Sequence, residues 1–160
     1  MDNILGLLFS KLGMLLGLIA VMAVSYAFFQ SNKTSTAMSD LAQVSQGIQT
    51  LYGGNQFTSL NNTVVTNGKL APTDMTTGTG VLVNPWNGSV TMMVNPANAS
   101  QFQATETNVP PDGCAKLAQG MTYASVMING TAITLPADPG QVTTACAASN
   151  PATMVLAFGH

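Results

Sequence analysis

The feature that most constrains this chain is a run of 21 consecutive uncharged, mostly apolar residues from Leu12 to Asn32. As an α-helix such a run is about 31 Å long, which matches the hydrocarbon core of a bilayer. It predicts a transmembrane helix that is apolar all round, and such a helix must be surrounded by lipid or by copies of itself. Gly13 and Gly17 form one Gly-x-x-x-Gly pair, which either permits close helix approach or is only a flexible spot.

The next segment continues as a helix that is apolar on one face only. From Lys33 to Tyr52 the apolar residues recur at helical steps of four and three: Ala37, Leu41, Val44, Ile48 and Leu51. The other positions, Asp40 and Ser45 among them, are polar, and Gly53-Gly54 ends the helix. The first 52 residues therefore predict one rod about 78 Å long, whose second half lies on a globular domain.

The rest of the chain supplies that domain as short strands between turn residues. The segment Asn84-Pro85-Trp86-Asn87-Gly88 and the pair Asn129-Gly130 predict two hairpin turns, the first with Trp86 as a packing anchor. Strands are predicted at 80–83, 89–94, 102–107, 125–128, 132–135 and 154–158, the last of them central, and short helices at 112–119 and 141–148.

Charge is scarce along the whole chain. Four Lys, six Asp or Glu and no Arg make 6% of the 160 residues, against roughly 25% in average soluble domains. Four scattered lysines cannot form the basic patch that binding of nucleic acid requires. The same scarcity allows identical domains to approach each other without like-charge repulsion.

No group of residues predicts catalysis. His160 is the one histidine, so a His-rich metal site is excluded and a Cys nucleophile has no other histidine to act as its base. Asp74, Glu106, Asp112 and Asp138 are expected in loops or at strand edges, Asp112 as a helix cap and Asp138 as a turn residue. Phosphate-binding, nucleophile-elbow and metal-ligand motifs are missing from the sequence. We therefore expect no enzymatic activity, no cofactor and no metal site.

The two cysteines, Cys114 and Cys146, lie 32 residues apart, each on one of the predicted short helices. In an extracytoplasmic domain two cysteines indicate one disulfide. The alternative is a pair of buried free thiols.

Taken in order, these elements resemble a type IV pilin of the type IVb class, close to the major pilins of bundle-forming and conjugative thin pili. The resemblance runs from about Gln30 to Leu117 and is carried by Gln30 to Lys33, Ala37 to Leu41, Ile48 to Gly53, Leu60 to Val65, Leu70 to Met75, Asn84 to Gly88, and Asn108 to Ala118.

The resemblance implies an α+β fold in which the helix packs through its second half on a small antiparallel sheet. Residues 1–32 are then the transmembrane and filament-core helix, 33–53 its amphipathic continuation, and 54–160 the head. It also implies a disulfide from Cys114 to Cys146 that bounds a variable region, 114–146.

The chain departs from the family at one position. Type IV pilins usually carry Glu at the fifth mature residue, whereas counting back from Leu51-Tyr52-Gly53 puts Leu5 or Gly6 there. We expect Met1 to be the mature N-terminus. The string Lys11-Leu12-Gly13-Met14 resembles a prepilin-peptidase site, but cleavage after Gly13 would leave the apolar helix a dozen residues short.

Asp2 and Lys11 are the only charges before Lys33, and an isolated charge in an apolar bundle needs a partner. They are about 13.5 Å apart along one helix, too far to pair within a chain. We expect Asp2 of one subunit to meet Lys11, or the Met1 amine, of a staggered neighbour. The alternative is that Asp2 caps the helix and Lys11 reaches water. The predicted filament core comprises Leu12, Leu15, Leu16, Ile19, Val21 and Phe28.

The function implied by the resemblance is that of a major pilin, a homo-oligomer in an extracellular helical filament with a role in adhesion, aggregation or conjugative contact. Before assembly the subunit would be held in the inner membrane, and its partners would be the prepilin peptidase and the pilus assembly machinery. Two alternatives stay open: a minor pilin or pseudopilin of a secretion system, and a single-span membrane protein whose head binds a ligand.

Overall fold

The computed structural model describes residues 31–159, and Lys33 onwards forms one compact unit. The first element is helix α1, which is described over residues 31–52. It ends as predicted at Gly53 and Gly54, whose φ angles of +53° and +89° are left-handed and suit glycine. Within residues 31–159 no helix is both long and apolar enough to cross a membrane.

The buried face of α1 is wider than its apolar stripe. Ala37, Leu41, Val44 and Ile48 are at most 2% exposed, as the periodicity predicts. Leu51, in contrast, is 53% exposed, so its assignment to this face is wrong. The last turn of the helix packs through Tyr52 instead, whose ring centroid lies 5.1 Å from that of Phe57.

Two polar residues of α1 were also misplaced by the pattern. Asp40 and Ser45 are 8% and 7% exposed, although the sequence puts both on the outer, polar face. Each is three or four positions from buried apolar residues and so lies on the flank of the stripe. The Ser45 hydroxyl is satisfied locally, since it donates to the Ala42 carbonyl at 3.0 Å.

Seven strands form one antiparallel sheet in the order β1-β2-β3-β4-β7-β5-β6. The elements after α1 are α2 (Asn62–Asn67), β1 (Thr76–Gly78), β2 (Val81–Val83), β3 (Ser89–Asn95), β4 (Asn98–Val109), α3 (Pro111–Gly120), β5 (Ser125–Ile128), β6 (Thr131–Ile133), α4 (Pro139–Ala147) and β7 (Ala152–Gly159). The predicted α+β class and the central position of the last strand are confirmed, because β7 lies between β4 and β5.

Both predicted hairpins are present. The segment 84–88 joins β2 to β3, and Asn129-Gly130 joins β5 to β6 with φ angles of +50° and +81°. Asn129 also links neighbouring elements: its Oδ1 accepts from the Thr153 amide at 2.9 Å and its Nδ2 donates to the Ala145 carbonyl at 2.9 Å. The sequence missed α2 and β1, and it made β4 too short and β6 too long.

The core lies between α1 and one face of the sheet, here called the inner face. A chain of aromatic rings runs through it, with centroid distances of 5.0 Å from Phe57 to Phe102 and 5.1 Å from Phe102 to Phe158. Tyr123 adds an edge contact to Phe158 at 5.3 Å. At the end of α1, the Gln49 Nε2 donates to the Gly159 carbonyl at 3.0 Å, which ties the helix to the last strand.

The two short helices differ from the sequence prediction at their first turns. Asp112 is not the cap of α3, because the N-cap is Pro110 and Asp112 lies inside the first turn. Asp138 is not a mere turn residue, since it is the N-cap of α4 and its Oδ1 accepts from the Gln141 amide at 2.9 Å. Both helices begin earlier than predicted, and a proline in the first turn favours each of these starts.

The disulfide joins Cys114 of α3 to Cys146 of α4, with a Cα–Cα distance of 5.9 Å. Both residues are buried, and the bond encloses the β5–β6 hairpin. The bond implied by the pilin resemblance is therefore present, and the free-thiol alternative is wrong.

We predict that the Cys114→Ser/Cys146→Ser variant loses about 2–4 kcal/mol of unfolding free energy, mainly because its unfolded chain is less constrained. Chemical denaturation of the full chain in detergent measures this. Reduction of the native disulfide is the matched control and should give a similar loss. Equal stability of native, reduced and double-Ser chains would contradict the prediction.

Candidate functional site

The residues predicted to direct assembly lie outside the described part of the chain. Met1, Asp2 and Lys11 are among them, as is the whole predicted filament core: Leu12, Leu15, Leu16, Ile19, Val21 and Phe28. Within residues 31–159 the buried polar side chains Asn84 and Glu106 form a hydrogen-bonded network on the inner face of the sheet. It is built from the turn at 84–88 and from the acidic residue Glu106 in the middle of β4.

Asn84 organises the turn between β2 and β3. Its Oδ1 accepts from the amides of Trp86 at 3.2 Å and Gly88 at 2.8 Å, so one side chain holds the whole loop. Its Nδ2 donates outward, to the Thr107 carbonyl at 2.8 Å and to Glu106 Oε2 at 3.1 Å. At 3% exposure Asn84 has all these polar atoms satisfied inside the protein.

Trp86 is the packing anchor that the sequence predicts. Its side chain is 6% exposed and lies against α3, where a Cβ at Gly113 would come within 2.7 Å of Trp86 Cζ2. Its carbonyl accepts from Asn108 Nδ2 at 2.6 Å. A second close approach occurs inside the turn, where a Cβ at Gly88 would overlap the carbonyl of Thr107. Glycine is thus required at both places by packing.

Glu106 is a fully buried carboxyl group, not the loop or edge residue that the sequence suggests. It is 1% exposed and pairs across the sheet with Val90 and Met154. Its position follows from strand alternation, because Phe102, Ala104 and Glu106 share the inner face. That alternation is the signal that would have found it in the sequence.

Burial raises the pKa of Glu106 from 4.5 to about 7, against the lowering effect of the hydrogen bond from Asn84. The negative charge of Asp40 adds to the rise. Burial likewise raises the pKa of Asp40 to about 6, with a further contribution from Asp74. The interface therefore carries two carboxyl groups that hold protons more tightly in the folded protein than in the unfolded chain.

Tyr123 closes the network on the side of α3. Its hydroxyl donates to the Leu117 carbonyl at 2.6 Å, and burial, followed by the charge of Glu106, raises its pKa far above the usual range. A groove of about 390 Å³ lies next to Tyr123, between the end of α3 and the segment after β6. Tyr123 is the one titratable residue lining it, so this groove offers no acid–base pair.

The network of Asn84 and Glu106 stabilises the fold and is not arranged for catalysis. Acid–base catalysis needs a carboxyl group within reach of a substrate, whereas Glu106 faces the core and is engaged by Asn84. Among residues 31–159 no group of three His, Cys, Asp or Glu side chains could hold a metal ion. What the network does is join the 84–88 turn to the centre of the sheet under α1.

We predict that stability falls as pH rises, because the folded pKa of Glu106 lies above the unfolded value. The contribution of the neutral carboxyl is complete below pH 4.5 and is lost as pH rises through 7. The loss amounts to about 3 kcal/mol by about pH 8. The side chain of the Glu106→Gln variant is neutral at every pH, so most of this pH-dependent loss of stability should be absent from the variant. Thermal unfolding of both proteins at a series of pH values measures the difference.

The Asp112→Asn variant is the matched control, since it removes an exposed carboxylate and should keep the native decline. A decline of stability up to about pH 6 is expected to persist in Glu106→Gln because burial also raises the pKa of Asp40, to about 6. A native protein as stable at pH 8 as at pH 5 would contradict the assignment.

Comparison with known proteins identifies the family. The family described as "PilS N terminal" matches residues 31–158, which is most of the chain. The structure is similar to that of TcpA, a type IV pilin from Vibrio cholerae El Tor biotype, with a TM-score of 0.55. The match covers 80% of this chain and 99% of the TcpA chain in that crystal structure at 14% sequence identity, so it shows a shared fold.

No curated protein sequence matched the chain. The family and the fold are nevertheless those of structural, non-enzymatic pilus subunits. The helix packed on a seven-stranded antiparallel sheet is the type IV pilin fold. The chain therefore belongs to the PilS family of type IV pilins and has the type IV pilin fold.

Proposed function

We propose that the chain is the major subunit of an extracellular type IVb pilus and polymerises through its N-terminal helix. The proposal rests on which face of α1 is buried in the head. Its apolar face is already buried on the sheet, with Ala37, Leu41, Val44 and Ile48 at most 2% exposed. The opposite side is polar, with Thr36, Gln43 and Gln46 exposed.

The buried face of α1 is then not available to the sequence before it. Leu12 to Asn32 is uncharged and mostly apolar on every side, and burial of such surface contributes about 25 cal/mol per Å². We propose that residues 1–32 lie in the inner membrane before assembly and among identical helices afterwards. Residues 33–53 then join this core to the head, 54–160.

The family relationship supports the partners in this scheme: copies of the chain, a prepilin peptidase and the pilus assembly machinery. The head would form the outer wall of the filament. Its low charge suits close contact between heads, in adhesion and aggregation or in conjugative mating contact. These roles share one requirement, a filament in which this chain is the abundant component.

We predict that surface material sheared from cells that express the chain with its assembly genes contains filaments, in which mass spectrometry finds this chain as the main protein. Electron microscopy of the same material should show no such filaments after deletion of its gene. A minor pilin would be a trace component of filaments made of another chain. Filaments that survive the deletion, together with a lone detergent-bound subunit, would refute the proposal.

We further predict that Asp2 and Lys11 pair between staggered subunits, because an unpaired charge in an apolar bundle is costly. Asp2→Lys and Lys11→Asp should each abolish filaments, and the double variant should restore them, as counted by electron microscopy. Lys69→Asp, which reverses a charge on the head, is the control and should assemble. Failure of the double variant to assemble, when the control does, would refute the pairing and leave the Met1 amine as the partner of Asp2.

A further inference from the structure

The face of the sheet opposite α1, here called the outer face, carries two exposed methionines. Met93 of β3 is 40% exposed and Met127 of β5 is 42% exposed. They are two of the five large apolar side chains exposed in the described part of the chain. A methionine that solvent reaches can be oxidised to the sulfoxide, which turns a flexible apolar side chain into a polar one.

Three other methionines of the described part are covered. Met92 is the neighbour of Met93 along β3 and is only 1% exposed, because successive side chains of a strand point to opposite faces of the sheet. Met154 of β7 and Met75, directly before β1, are buried as well. The chain therefore holds thioether groups in two environments, and the contrast is sharpest between two adjacent residues.

The strand neighbours of the two exposed methionines are small or few. Met127 pairs with Val155 on one side and with Ala132 on the other. Met93 pairs with β4, whereas the pairing of β2 with β3 ends at Val90. An oxygen atom added to the sulfur of either side chain would therefore be hydrated, and it would accept hydrogen bonds from water.

No thiol competes with these methionines for an oxidant. Both cysteines of the chain, Cys114 and Cys146, are joined in the buried disulfide. The one tryptophan, Trp86, is 6% exposed. In the described part of the chain, Met93 and Met127 are therefore the most accessible groups for a mild oxidant such as hydrogen peroxide.

We propose that Met93 and Met127 are reversible oxidation sites, at which peroxide makes the outer face more polar while the core stays intact. The thioether sulfur attacks one oxygen of hydrogen peroxide, the O–O bond breaks, and the sulfoxide and one water form. The sulfur loses two electrons and the peroxide gains them. Methionine sulfoxide reductases reverse the step with a dithiol, which becomes a disulfide as water leaves. The inference concerns the head and is independent of filament assembly.

Oxidation has opposite consequences on the two faces of the sheet. A hydrated sulfoxide on the outer face leaves the free energy of unfolding nearly unchanged. A sulfoxide at Met92 or Met154 would instead place a polar oxygen in the apolar core, which disfavours the folded state. The fold thus directs the oxidant to the two positions at which the product is tolerated.

Treatment of the full chain in detergent with hydrogen peroxide tests the inference. Peptide mass spectrometry should show Met93 and Met127 oxidised at least about tenfold faster than Met92 and Met154, because buried sulfurs react only when the sheet opens locally. Fragment ions distinguish Met92 from Met93. In guanidinium chloride all four should react at similar rates, which controls for intrinsic reactivity. Equal rates for Met92 and Met93 in the folded chain would overturn the inference.

Two leucine variants test whether the core stays intact. Leucine keeps the size and apolar character of methionine. In Met93→Leu/Met127→Leu, Met92 and Met154 should be oxidised as slowly as in the native chain. In the matched control Met92→Leu/Met154→Leu, the outer pair should be oxidised as fast as in the native chain. Faster oxidation of the core methionines in the native chain than in Met93→Leu/Met127→Leu would overturn the inference, because oxidation of the outer face would then open the sheet.

Reversal provides a measurement that needs no variant. After brief treatment with peroxide, the chain should unfold at the same denaturant concentration as before. The reductases for the two sulfoxide epimers, supplied with a dithiol, should then remove the oxygen from Met93 and Met127 in the folded chain. A lowered unfolding midpoint, or sulfoxides that are reduced only after unfolding, would overturn the inference.

Discussion

The packing of one face of α1 on the inner face of the sheet is the contact on which the rest of the structure depends. It buries four apolar side chains of the helix in the same core as the aromatic row of Phe57, Phe102 and Phe158. Glu106 is buried on the same inner face of the sheet. This face of α1 is therefore fully used within the head.

The helix–sheet interface is not purely apolar, and its polar part has a definite role. Asn84 links the 84–88 turn to Glu106 and Thr107 of β4, so the turn is anchored to the middle of the sheet as well as to its two flanking strands. A buried carboxyl without a cationic partner is costly when ionised, and its raised pKa expresses that cost. The network therefore favours a neutral Glu106, which can keep its place under the helix without an ion pair.

Much of the fold could be predicted from local patterns, and the misses have physical reasons. The period of α1, its glycine stop and the Asn-Gly hairpin are local signals, and they agree with the structure. Helix α2 and strand β1 were missed because six and three residues are too short to show a period. Asp40 was misplaced because apolar spacing locates the centre of a buried face but not its width. Glu106 was assigned to a loop or a strand edge because it is acidic, although its alternation with Phe102 and Ala104 places it on the inner face.

The two faces of the sheet show how a chain with few charged residues can keep one face of its sheet hydrated and bury the other in the core. Along β3 and β4 the inner positions are Val, Met, Phe and Ala together with the buried Glu106, whereas the outer positions of the same strands are mostly Thr and Gln. Threonine has a strong preference for strands and also carries a hydroxyl group, so it favours strand formation and forms hydrogen bonds to water. Hydration of the outer face thus rests on neutral groups. Neutral polar groups can replace their hydrogen bonds to water by hydrogen bonds to each other at low electrostatic cost. A contact between identical subunits requires this replacement.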